Sequence, residues 1–93
     1  MDDNEAKILM QQTLEQFRHY SFKELQSIIG NSLIVQVDGE SGVQYQIEVE
    51  AFWDGKPGKQ IMVMGAIDDG GWRAFMPLSD SFIMRPDGTF VGE

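Results

Sequence analysis

Between Val43 and Trp53 the chain places Val43, Tyr45, Ile47, Val49, Ala51 and Trp53 on one side and Gln44, Gln46, Glu48 and Glu50 on the other. A two-residue period of this kind marks a strand with one face buried and the other against water or a polar partner. The same period runs through Leu33, Val35 and Val37, with Ile34, Gln36 and Asp38 opposite. The turn-rich link Asp38-Gly39-Glu40-Ser41-Gly42 predicts that these two strands form an antiparallel hairpin.

A third strand is expected over Gln60 to Ile67, after the loop Asp54-Gly55-Lys56-Pro57-Gly58-Lys59. Alternation disappears here, because Ile61, Met62, Val63, Met64, Ala66 and Ile67 are apolar on both sides. A strand apolar on both faces is usually covered on both, which places it centrally in the sheet. Its register is left open: an even loop pairs Ala51 with Met62, whereas a bulge pairs Ala51 with Val63. Gly65 marks a shallow gap near Ala74 or a bulge.

Toward the N-terminus the period is helical. Asp2, Asp3 and Asn4 offer capping oxygens, and Ala6, Leu9, Met10, Thr13, Leu14, Phe17 and Tyr20 gather on one face of a helix running to about Arg18, with Ile8 on the far side. Ser21-Phe22-Lys23-Glu24 has capping-box spacing and predicts a short second helix with Phe22, Leu25, Ile28 and Ile29 as its apolar face, stopped at Gly30-Asn31. Beyond the turn Asp68-Asp69-Gly70-Gly71, a fourth strand is expected over Trp72 to Met76. Asp80 to Met84 and Thr89 to Val91 read as a terminal hairpin around Arg85-Pro86-Asp87-Gly88. Leu78, Phe82, Ile83, Phe90 and Val91 carry enough apolar surface to act as a lid over the sheet.

The fold class is therefore α+β: an N-terminal helix pair packed on a four-stranded antiparallel meander, with a short C-terminal hairpin or lid. A chain of 93 residues forms one domain over 1–93 and buries about 60% or more of its unfolded surface. The absence of cysteine removes disulfides and thiolate chemistry, and no apolar run approaches the ~20 residues that span a bilayer. The first residues carry no signal-peptide pattern, so a cytoplasmic location is expected.

Fifteen acids against seven bases give a net charge of −8, and the imbalance is concentrated after residue 30, where ten acids face four bases. Such a surface repels phosphate backbones and anionic lipid, which excludes nucleic acid and membrane as expected partners. It suits a basic protein partner or serves solubility.

Catalytic readings find little support. His19 is the only histidine, beside Tyr20 and Ser21, and no strand-to-helix nucleophile elbow accompanies it. Asp68-Asp69 is the sharpest acidic pair, yet Asp-Gly is also ordinary turn chemistry and no calcium-loop spacing is present. Glu48 and Glu50 share a strand face, but a domain of this size has little room for a glycosidase cleft. Arg73 is a candidate charge partner for them. No phosphate loop, dinucleotide fingerprint or zinc spacing is present, so no cofactor is expected.

The leading functional expectation is a non-enzymatic protein-protein interaction module, with Glu48, Glu50, Phe52, Asp68, Asp69, Trp72 and Arg73 as the partner-binding set. Self-association through a sheet edge or the methionine surface is a related expectation. The alternative is a small-molecule carrier with an apolar pocket between helices and sheet, lined by Tyr45, Trp53, Met64 and Trp72. A metal-assisted hydrolase, using carboxylates around Asp68 and Asp69, is a third.

Overall fold

The computed structural model describes residues 1–71 and 77–93. Helix α1 spans Asp3–Arg18 and α2 spans Phe22–Ser27. Strands β1 (Leu33–Asp38), β2 (Gln44–Asp54), β3 (Gln60–Asp68) and β4 (Leu78–Met84) follow. They form one sheet in the order β1-β2-β3-β4, each pair antiparallel.

Local chemistry sets the helix ends. The Asp2 carboxylate accepts from the Glu5 N–H at 3.1 Å, which satisfies one of the free donors of the first turn. At α2 the Ser21 hydroxyl accepts from Glu24 N–H while the Glu24 carboxylate accepts from Ser21 N–H, a complete capping box. Gly30, at φ 89°, takes the left-handed conformation where the second helix stops.

The hairpin joining β1 and β2 closes through Gly39 N–H to Val43 O at 2.8 Å and Gly42 N–H to Gly39 O at 3.0 Å. With Gly42 at φ 90°, this is a three-residue loop ending in a glycine bulge. The C-terminal turn repeats it: Arg85 N–H reaches Thr89 O, Gly88 N–H reaches Arg85 O, and Gly88 sits at φ 86°. The chain then turns back, so that Met84 bridges Phe90 and Val91 N–H donates to Ile83 O.

The core lies between the helices and one face of the sheet. Ala6, Met10, Leu14, Phe17 and Leu25 from the helices meet Tyr45, Ile47, Val49, Ala51, Ile61, Val63, Ile67, Phe82 and Met84 from the strands. Thr13 is buried among them, and its hydroxyl donates to Leu9 O at 2.9 Å, so it carries no unpaired polar atom into the core. Trp53 is half-buried against Phe22, with ring centroids 6.1 Å apart.

Two expectations change. The proposed strand Trp72 to Met76 lies outside the described residues. The strand hydrogen-bonded to β3 is Leu78–Met84, so Asp80 to Met84, the first arm of the expected terminal hairpin, belongs to the main sheet, while the turn around Arg85-Pro86-Asp87-Gly88 and the return to Phe90 and Val91 form as expected. Polar Ser79, Asp80 and Ser81 disguise this strand, but Phe82 and Met84 at its far end enter the core beneath the helices. Phe82 therefore packs on the helix side of the sheet and cannot roof the other face.

The second change concerns β3. It is interior, as its composition predicts, but its two faces differ: Ile61, Val63, Gly65 and Ile67 are buried, Met62 and Ala66 half-buried, and Met64 exposed. Apolar character on both faces here does not mean full cover on both. The pairing is Ala51 with Val63, the bulged alternative of the two registers.

Candidate functional site

Strand alternation and register build the sheet face opposite the helices row by row. One row runs Ile34, Glu48, Ala66, Ser79, the next Glu50, Met64, Ser81, and the third Phe52, Met62, Ile83. Ile34 is 57% exposed and Met64 40%. Phe52, Met62, Ala66 and Ile83 are half-buried, so the centre of this open face is an apolar strip.

Carboxylates flank the strip. Glu48 and Glu50 are exposed, and Glu50 accepts from the Ser32 hydroxyl at 2.9 Å. Asp68 extends the row that contains Gln36 and Gln46. None of the four described strands contains a lysine or arginine, whereas together they contain Asp38, Glu48, Glu50, Asp54, Asp68 and Asp80. The open face is thus an apolar surface in a negative field.

Of the residues expected to bind a partner, Glu48, Glu50, Phe52 and Asp68 share this face. Asp69 does not join them, being occupied at the far end of β3. Its Oδ1 accepts from Gly71 N–H at 3.1 Å, and its Oδ2 lies 3.3 Å from the Met1 amino nitrogen. The Gly71 hydrogen bond, followed by the amino group, holds its carboxyl below the usual aspartate range. Trp72 and Arg73 lie outside the described residues.

The other chemical readings separate in space. Asp68 Oδ1 accepts from Gly70 N–H at 2.8 Å, so both aspartates serve the turn, and no cluster of three or more metal-ligating side chains occurs among the described residues. The His19 side chain is 80% exposed, its Nε2 3.6 Å from Glu15 Oε1, while Ser21 is engaged as a helix cap. Of the residues expected to line a carrier pocket, Tyr45 and Trp53 face the helices and Met64 faces the opposite way; Trp72 lies outside the described residues. No helix among the described residues is long and apolar enough to cross a membrane.

One cluster carries no local signal in the sequence. Glu5 Oε1 accepts from the Tyr45 hydroxyl at 2.8 Å and from Ser41 Oγ at 2.6 Å, and Oε2 accepts from Ser41 N–H at 3.0 Å. The bonds from Ser41 and then Tyr45 hold the Glu5 carboxyl below its ordinary range. Burial, followed by the bond to Glu5, pushes Tyr45 up. The carboxylate ties the first turn of α1 to the β1–β2 loop; with every bond internal, it is a structural clamp.

Comparison with known proteins assigns no family: no family model matches the chain, and no curated protein and no solved structure matches it.

Proposed function

We propose that this chain is a non-enzymatic interaction module that docks a protein partner with a basic surface on the open sheet face. The observation that carries the reading is Met64, an exposed methionine at the centre of an interior strand with Glu50 as its direct cross-strand neighbour. A flexible thioether in a shallow apolar strip adapts to a partner, and carboxylates around it steer a basic surface into place.

The contact set combines Glu48, Glu50, Phe52 and Asp68 with Met62, Met64 and Ile34; Trp72 and Arg73 remain proposed members. The proposed setting is the cytoplasm, in keeping with a chain that contains no cysteine. A photo-crosslinking amino acid at position 64 tests the docking face in source cells. Irradiation should give a discrete adduct that disappears when Glu48 and Glu50 are changed to lysine. The same group at position 16, exposed on α1, should give none. Adducts of equal yield at both positions would remove the open face as the docking surface.

A further inference from the structure

The two edges of the sheet are finished differently. Beside β4 the chain folds back, with Val91 N–H donating to Ile83 O and Phe90 bridging Met84. Beside β1 no described strand pairs with the outer edge.

The hydrogen-bond phase of that edge follows from the hairpin. Gly39 N–H bonds to Val43 O, so an antiparallel ladder directs the backbone groups of Val37, Val35 and Leu33 at β2. Those of Ile34, Gln36 and Asp38 then point outward. Edges are commonly guarded by lysine, proline or a bulge. β1 reads Leu-Ile-Val-Gln-Val-Asp, contains neither lysine nor proline, and leaves Ile34 57% and Val35 37% exposed on opposite faces.

Beside it, between α1 and the β1–β2 hairpin, runs a groove of about 590 Å³ whose walls include Ile8, Leu9, Gln12, Asp38 and Glu40. Ile8 is 54% exposed and supplies apolar surface on the helix side. The charged side chains that line the groove are all acidic, and neither Asp38 nor Glu40 forms an ion pair among the described residues.

We propose that the outer edge of β1 accepts, as a fifth strand, an extended partner segment in which basic residues alternate with small apolar ones. Backbone groups of Ile34, Gln36 and Asp38 hold its main chain, Ile8 and Val35 on the helix side receive its apolar side chains, and Asp38 and Glu40 receive the basic ones. Charge complementarity selects this occupant over a second copy of the chain, which carries −8 itself. The surface differs from the open face around Met64, and its test stands apart from that reading.

The probe is a capped octapeptide of alternating lysine and valine, titrated into the full chain while amide exchange is followed by NMR. Exchange at Ile34, Gln36 and Asp38 should slow about tenfold, while the amides of Val35 and Val37, already bonded to β2, change little. The same peptide N-methylated at every second residue, on the edge-facing side, should lose this protection. Gln36→Pro should weaken binding about tenfold with the circular dichroism spectrum unchanged, since proline is accepted on edge strands; if that variant fails to fold, the N-methylated peptide decides. Equal binding of an alternating glutamate-valine peptide, chemical-shift changes confined to Glu48 and Glu50, or the same edge protection arising from self-association without peptide would each overturn the proposal.

Discussion

Met10 Sδ lies 2.6 Å from the point where a Cβ on Gly65 would sit, and Leu14 Cδ2 lies 3.3 Å from the same point. Helix α1 therefore approaches β3 over a position that holds no side chain. A mid-strand glycine ordinarily weakens a sheet, but here its missing Cβ lets the helix close on the core.

Gly65→Ala should destabilise the protein by about 1–3 kcal/mol, because overpacking outweighs the entropic gain of replacing glycine. In a Met10→Ala background the cost should shrink or change sign. Urea denaturation of the two single variants and the double variant measures the coupling.

The Glu5 clamp predicts a pH dependence of definite sign. Its folded-state pKa is depressed, so its stabilisation is present above the ordinary glutamate range, near ~4.3, and is lost as pH falls through the folded value. Glu5→Gln should lower the urea midpoint at neutral pH, and the gap from wild type should close in acid. A gap constant from pH 7 to pH 3 would mean that the carboxylate charge contributes nothing.

Tyr45 titrates in the opposite direction. Its raised folded-state pKa gives stabilisation that is complete below the ordinary tyrosine value, near ~10, and is lost as pH rises through the folded value. Spectrophotometric titration should show a late ionisation phase that is absent from Tyr45→Phe.

Arg18 fastens the C-terminal turn. Its guanidinium lies 4.8 Å from the Phe82 ring centroid and 4.7 Å from that of Phe90, and its Nη1 is 2.7 Å from Glu93 Oε1. Ring contact should outweigh the exposed ion pair, since cation–π contacts contribute about 0.5–2 kcal/mol and surface pairs about 0–1. Arg18→Ala should accelerate proteolysis of the turn near Pro86 more than Glu93→Ala does.

How much of this was legible in the sequence depends on whether each signal was local. The β1–β2 hairpin, the Asp2 and Ser21 caps and the α1 core face were readable because each is written in residues a few positions apart. The membership of Leu78–Met84 in the main sheet was missed because Ser79, Asp80 and Ser81 break the apolar pattern, and that membership depends on pairing with β3. Composition identified β3 as interior but misjudged its cover, since it cannot say whether Met62 and Met64 face a second layer. Glu5 was missed because Ser41 and Tyr45 lie 36 and 40 residues away and meet it only through the fold. Within the proposed site, alternation grouped Glu48 with Glu50, while the placement of Ile34 and Met64 beside them required the register.

The proposed docking face is tested most directly by affinity capture from source cells with wild type, Met64→Glu and Gln16→Glu, each at low and at about 0.5 M salt. Both substitutions fall at exposed positions and should change stability by no more than about 0.5 kcal/mol. A basic protein should be retained by wild type and by Gln16→Glu at low salt, lost from both at high salt, and lost by Met64→Glu at either ionic strength. Retention of the same partner by Met64→Glu, or capture indifferent to salt, would contradict the account.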